Sequence, residues 1–380
     1  MQHRQWDIFC EVIDNFGDAG VAWRLARQLV HEHAFSVRLW INQPGVLQQL
    51  VPQCLGDLAT QSCEGVEVRA WSADMPAVTP ADVVIEAFGC RLPDSYLQAM
   101  SQLDAQPVWI NLEYLSAEPW VLSHHGLASP HPQLPLTKYF FFPGYQPGTG
   151  GVLREQDLLQ RRAQFEQRET AAFWQSLGLV PQDQQALHVS LFAYENAALA
   201  GLLDAWARHD QAIVCLIPEG KIVPQLAGWL GEPRLQLRSV YRRAHLEFHL
   251  LPFLDQDTYD RLLWACDLNF VRGEDSCVRA QWAARPFVWQ AYPQQENAHG
   301  AKIDSLLALY TEGLDAAAAR TIAQLWSAWN GQGDVDAAWT AFLDHKRALD
   351  AHARRWPARL AEPGDLVTNL RAFVEARQAR

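Results

Sequence analysis

Trp6-Asp7-Ile8-Phe9-Cys10-Glu11-Val12-Ile13-Asp14-Asn15-Phe16-Gly17-Asp18-Ala19-Gly20, continuing into Val21-Ala22-Trp23-Arg24-Leu25-Ala26-Arg27, is the stretch from which the fold follows. Its apolar opening reads as a buried strand. The strand breaks into a glycine-punctuated turn holding Asp14 and Asp18, and a helix with the apolar stripe Val21, Leu25 and Leu29 follows. Strand, turn and helix in that order build an open α/β sheet, and such turns lie at the carboxyl edge, where ligands bind. Gly17 and Gly20 are expected to let the backbone turn sharply and a ligand approach closely. The turn therefore presents two acids in a cleft.

The same alternation recurs outward from this unit. Residues 36–41, 66–70, 83–88, 107–112 and 139–143 are β-like in residue type and length, which predicts a mostly parallel sheet. Pro- and Gly-rich text over 130–151 closes the series, and a helical pattern covers 155–177. Strands then restart at 186–193, 212–217, 246–251, 268–271 and 287–290, between helices at 195–208, 222–230, 257–265 and 275–284. The domain boundary is expected near 179–185, giving an N-terminal domain of 1–180 and a C-terminal domain of 185–350. A helical tail, 352–380, broken at Pro363-Gly364, is expected to pack back on the first domain. The fold class predicted is α/β of the GT-B glycosyltransferase type: two Rossmann-like domains facing across a cleft.

Bulk properties narrow the function. A chain of 380 residues exceeds one ordinary core, and 49% hydrophobic with 19% charged residues describes a well-packed soluble protein. A net charge of −12 argues against a nucleic-acid binder, which needs a basic face to displace counterions. The seven cysteines are scattered and form no C-x-x-C pair, so reduced, buried thiols are expected rather than a zinc site. Residues 1–5 hold no signal-peptide apolar segment, and no apolar run approaches the ~20 residues that span a bilayer. A cytoplasmic protein with no membrane partner is expected.

A second strand–turn–helix lies at Phe270-Val271-Arg272-Gly273-Glu274-Asp275-Ser276-Cys277. Asp275 or Ser276 fits a helix cap that leaves N–H groups for a phosphate, with Arg272 adding charge; the same acids equally fit an ordinary helix start. Phe192 and Tyr194 alternate to one face at a strand exit, an arrangement common in cores as well as at ligand sites. Phe253 and Gln256 follow another strand and suit stacking on a nucleobase and reading its edge. Asp255-x-Asp257 imitates a D-x-D metal motif, but Asp257 with Asp260 three residues on reads as a cap, and no metal is predicted. Arg238, Arg242 and Arg243 read as a solvated face. No P-loop, G-x-G-x-x-G or G-x-S-x-G occurs, which weakens ATPase, dehydrogenase and hydrolase readings.

Taken in order, WDIFCEVIDNFGDAGVAWRLARQL, NLEYLSAEPW, FFFPGY, SLFAYEN and RGEDS resemble the bacterial elongation factor P arginine rhamnosyltransferase family. The resemblance runs from the first strand through Lys302 and implies a GT-B enzyme. It implies transfer of L-rhamnose from dTDP-β-L-rhamnose to one arginine of translation elongation factor P, with inversion, no metal and no cofactor. It places Asp18 on the general base, Asp14 on its essential neighbour, and Glu274, Asp275 and Ser276 on the donor loop. Phe192, Tyr194, Phe253, Gln256 and Arg272 fall around the nucleotide-sugar, Glu274 is a third catalytic candidate that would support the donor or the catalytic geometry, and Asn15, Phe16 and Gly17 are further substrate-binding candidates. A GT-B transferase with another acceptor, or a non-catalytic nucleotide-sugar-binding protein, is the alternative.

Overall fold

The computed structural model describes residues 4–13, 16–72, 74–179, 186–292 and 299–378. The chain divides into two compact units, Met1–Gln156 with Leu360–Arg380, and Asp157–Arg359.

The first unit is built on eight strands: β1 (Gln5–Cys10), β2 (Ser36–Ile41), β3 (Thr60–Cys63), β4 (Val66–Ala70), β5 (Val83–Ala87), β6 (Val108–Leu112), β7 (Ala128–Pro130) and β8 (Thr137–Phe141). They lie in the order β3-β4-β2-β1-β5-β6-β8-β7, and only the edge pairs β3–β4 and β7–β8 are antiparallel. The chain runs outward from β1 through β2 to β4, then returns to β5 on the other side of β1. The carboxyl ends of β1 and β5 are therefore the topological switch point. Central β1 is buried on both faces, and its one charge, Asp7, is fully covered. Its β2 register partner Arg38 donates through Nε and Nη2 to the two carboxylate oxygens at 2.6 Å each, and Trp40 Nε1 adds a bond at 3.0 Å. Burying a carboxylate is costly unless it is paired in this way, so an apolar strand tolerates the charge.

The edge strand β3 has no counterpart in the sequence reading. It turns into β4 at Glu64-Gly65, both in left-handed backbone (φ 47° and 81°), the conformation of a two-residue hairpin. A side chain on Gly65 would also meet Val30 at 2.9 Å. Just before that hairpin, Cys54 and Cys63 form a disulfide with Cα atoms 5.9 Å apart. This corrects the expectation of reduced thiols for one pair: the loop from Cys54 into β3 brings Cys63 back to a residue nine positions earlier in the chain. Cys10, Cys90, Cys215, Cys266 and Cys277 are free and buried, as expected.

The second unit carries β9 (Leu187–Leu191), β10 (Ile213–Pro218), β11 (Val240–Arg243), β12 (Leu246–Leu251), β13 (Leu268–Arg272) and β14 (Phe287–Gln290) in the order β11-β12-β10-β9-β13-β14. Here the switch point falls between β9 and β13. The helical segment before β9, Leu158–Gln164 with a π turn Phe165–Glu169 and Thr170–Ser176, belongs to this unit rather than to the first. Phe165 packs on Trp264 at 5.5 Å, and Arg285 reaches Glu166 at 3.3 Å. The division thus precedes this helix, where the sequence reading placed it after; residues 180–185 lie outside the described residues.

The chain from Leu360, the last residue of the helix Val335–Leu360, groups with the first unit, where the sequence reading began the tail at 352. Trp356 stays with the second unit, donating from Nε1 to Gln281 Oε1 at 3.1 Å. The returning chain passes so close to Gly151 (φ 74°) that a Cβ there would stand 2.3 Å from the Gly364 carbonyl oxygen. Only glycine permits this crossing. The final helix, Leu366–Gln378, seats Phe373 against Phe141 with ring centroids 5.2 Å apart.

Candidate active site

In the first unit, the helix after β1 begins at Phe16, earlier than expected. Gly17 and Gly20 therefore lie inside its first turns and do not form the sharp bend assigned to them. Asp18, in the first helical turn, has its carboxylate where the positive end of the helix dipole favours negative charge. The residue is 2% exposed. Its Oδ2 accepts the Ile13 N–H at 2.9 Å, and its Oδ1 accepts the Tyr114 hydroxyl at 3.1 Å. The first bond is the local reason the chain turns here: the helix-start carboxylate satisfies a backbone donor left behind by the strand. Asp14 and Asn15, both expected at this turn, lie outside the described residues.

Tyr114 arrives from beyond β6, two strands over, and stacks on Phe88, with ring centroids 4.6 Å apart and planes at 18°. Phe88 follows β5 in left-handed backbone (φ 60°), and its N–H bonds the Leu112 carbonyl at 2.7 Å. The two motifs 111–120 and 140–145 meet at this edge: Glu113 N bonds Phe141 O at 3.0 Å, and Ser116 bridges Gly144. Tyr114 and Phe88 were not singled out as site residues. Tyr114 does sit in a quoted motif, one polar aromatic just past a buried strand, and that was the available signal.

In the second unit the ends of β9 and β13 bring together Phe192, Tyr194 and Arg272. The Arg272 guanidinium carbon lies 4.4 Å from the Phe192 ring centroid and 4.5 Å from that of Tyr194. The two aromatics do share a face, as their spacing predicts. A buried cation against two ring faces is both stabilised and held in place. Ser276 Oγ accepts the Arg272 N–H at 3.2 Å and donates to its carbonyl, closing the turn. This corrects the expectation that Asp275 or Ser276 caps the helix. Glu274 occupies the cap position without a side-chain cap bond, Asp275 is the first helical residue of Asp275–Trp282, and the Ser276 hydroxyl is engaged by the strand end.

Gln256 Nε2 donates to Asp275 Oδ2 at 3.3 Å, joining two of the expected residues. Phe253 lies two positions past β12 and is half-buried. Two further residues flank Tyr194: Gln290 Oε1 accepts its N–H at 2.9 Å, and Tyr292 meets its ring edge-on at 5.6 Å. Neither was anticipated, because β14 pairs with β13 rather than β9 and its end reaches Tyr194 only through the sheet order. Burial pushes the Tyr259 hydroxyl pKa up, so this ring, edge-on to Phe192 at 5.5 Å, is a neutral wall.

The D-x-D-like triplet is a helix cap, though through Asp255 rather than Asp257: Asp255 accepts the Thr258 N–H at 2.8 Å. Arg242 and Arg243 are surface residues engaged by Glu247 and the Trp229 ring, as read. No described helix is long and apolar enough to cross a membrane.

Comparison with known proteins gives one consistent result. A family profile described as "Elongation-Factor P (EF-P) rhamnosyltransferase EarP" matches residues 6–375. A protein-arginine rhamnosyltransferase of Pseudomonas putida is 50% identical over 372 residues, covering 97% of this chain and 98% of that protein. One from Pseudomonas aeruginosa is 45% identical over 370 residues, with 97% and 98% covered. A solved structure described as "Structural basis for EarP-mediated arginine glycosylation of translation elongation factor EF-P" superposes with a TM-score of 0.71 at 37% identity, covering 98% of this chain and 99% of that one. The calicheamicin glycosyltransferase CalG4 superposes with a TM-score of 0.52 at 12% identity over 99% of each chain, a likeness of fold alone. The two Rossmann-like units are those of the GT-B fold.

Proposed function

The chain belongs to the EarP family of elongation factor P rhamnosyltransferases, and from that premise we propose that it transfers rhamnose to an arginine side chain of translation elongation factor P. In this reading the donor is dTDP-β-L-rhamnose and the transfer inverts the anomeric carbon. The observation that carries it is the Asp18 carboxylate, oriented by separate donors on its two oxygens at the switch point of the first sheet.

Arginine is a reluctant nucleophile, because its charge is delocalised and its pKa exceeds ~12. A carboxylate answers both difficulties, since it orients the planar group by charge-assisted hydrogen bonds and accepts its proton as the new bond forms. The arginine nitrogen attacks the anomeric carbon, the bond from that carbon to the diphosphate oxygen breaks, and the nitrogen's proton passes to Asp18. Asp14 is assigned a supporting role in that step, and Asn15, Phe16 and Gly17 a role in binding substrate. The departing dTDP takes both electrons of the broken bond. Arg272 and the start of the helix Asp275–Trp282 are assigned to balance its charge. Phe192, Tyr194, Phe253 and Gln256 hold the nucleotide-sugar, with Asp275 and Ser276 shaping the loop and Glu274 supporting the donor. No step is assigned to a metal ion or cofactor. Donor and translation factor are both cytoplasmic molecules, so the reaction is assigned to the cytoplasm.

The test is the intact mass of purified elongation factor P incubated with the enzyme and dTDP-β-L-rhamnose. A single deoxyhexose increment, localised to arginine by fragmentation, is expected. An unchanged mass, or sugar on another residue type, refutes the reading.

A further inference from the structure

We propose that Tyr114 is a positioning residue for this transfer, fixing the Asp18 carboxylate through its hydroxyl while Phe88 fixes Tyr114. The inference rests on the reading of Asp18 as the base and adds a residue to that site. Its ground is the distribution of donors. Ile13 N–H serves Oδ2 at 2.9 Å and the Tyr114 hydroxyl serves Oδ1 at 3.1 Å. The terminal torsion of a carboxylate is broad, and donors on its separate oxygens set its plane. That plane decides whether a lone pair points at the incoming nitrogen, which is the geometric condition for proton acceptance.

These donors also differ in origin. Ile13 belongs to the same turn, five residues from Asp18, and moves with it; Tyr114 is 96 residues away and enters from the end of β6. Tyr114 thus references the carboxylate to the sheet rather than to its own loop. The strand between them in the sheet, β5, supplies the brace. Phe88 stacks on Tyr114 at 4.6 Å in a left-handed backbone conformation (φ 60°) that is costly for a bulky residue. Such strain persists only where its surroundings over-determine it. Here the stack and the 2.7 Å bond from Phe88 N to Leu112 O do so, tying the ends of β5 and β6 together behind the hydroxyl.

Tyr114→Phe tests the proposal, because it deletes the hydroxyl and keeps the ring on Phe88. A hydrogen bond to a charged group corresponds to roughly a 10- to 100-fold effect. We therefore expect kcat for arginine modification to fall by about that factor. The KM for the acceptor, the calorimetric Kd for dTDP-β-L-rhamnose and the thermal midpoint should stay at wild-type values. The donor Kd reports on residues of the other unit, and the thermal midpoint shows whether the variant keeps its fold. Unchanged kcat overturns the proposal. So does a fall in kcat matched by weaker donor binding or a lowered thermal midpoint, since that pattern marks a merely structural role. Wild-type enzyme that leaves elongation factor P unmodified refutes the functional reading itself, and the role of Tyr114 with it.

Discussion

Replacing Asp18 with Asn tests the proposed division between chemistry in the first unit and donor binding in the second. The substitution keeps shape and removes charge and basicity. The native carboxylate accepts from Ile13 N at 2.9 Å and from the Tyr114 hydroxyl at 3.1 Å. An amide has one acceptor oxygen. If that oxygen keeps the backbone donor, the amide NH2 faces Tyr114, whose hydroxyl rotates to accept instead. The cost to folding is then only about 1 kcal/mol. The cost to transfer is larger: an amide cannot take the arginine proton, and positioned general bases contribute about 10²–10⁴-fold, or roughly 3–5 kcal/mol of barrier. Time courses of acceptor mass at saturating donor should show kcat reduced by that factor. Calorimetric titration should give unchanged affinity for dTDP-β-L-rhamnose, because Phe192, Tyr194 and Arg272 belong to the other unit. Turnover within about threefold of wild type would refute the assignment, being far below what removal of a general base costs. A large loss of donor affinity would refute the division of labour between the units.

Other outcomes follow from the same geometry. Phe253→Ala should weaken donor binding by about 1–3 kcal/mol if its ring stacks on the base, and unchanged calorimetric affinity would remove it from the site. Arg279→Met should lower the chemical-denaturation midpoint of the second unit sharply. Arg279 and Asp260 are each only 1% exposed, and depriving a buried carboxylate of its bidentate partner costs about 3–5 kcal/mol. Burial lowers the pKa of His33, His125, His249 and His352 from the ordinary 6.5, so the folded chain disfavours their charged forms. Stability from these groups is fully present above 6.5 and is lost as pH falls through their depressed folded values. The thermal midpoint should therefore decline on acidification below neutrality, and a flat profile down to about pH 5 would contradict the burial argument.

Much of the architecture is legible from local pattern. Ser36–Ile41, Val66–Ala70, Leu246–Leu251 and Phe287–Gln290 coincide with the runs read from the sequence, since β-branched, aromatic and aliphatic residues recur in each at strand length and are the buried ones, as Val66 and Val68 are in the alternating Val66–Ala70. The edge strands Thr60–Cys63, Ala128–Pro130 and Val240–Arg243 escape notice because they are half-exposed and need no such run. Asp7 misleads in the opposite direction: a charge inside an apolar run is acceptable only because Arg38 arrives on the adjacent strand.

By itself, then, the amino-acid order determined two series of alternating strands and helices, and placed Asp18 and an arginine loop just past strand ends. Burial and turning are local demands, written in residue type and spacing over a few positions. Tertiary structure alone decided that Tyr114 bonds Asp18, that Arg272 lies against both Phe192 and Tyr194, and that the helix before β9 joins the second unit. Those outcomes depend on strand order and register, which bring together side chains far apart in sequence and leave no local periodic signature.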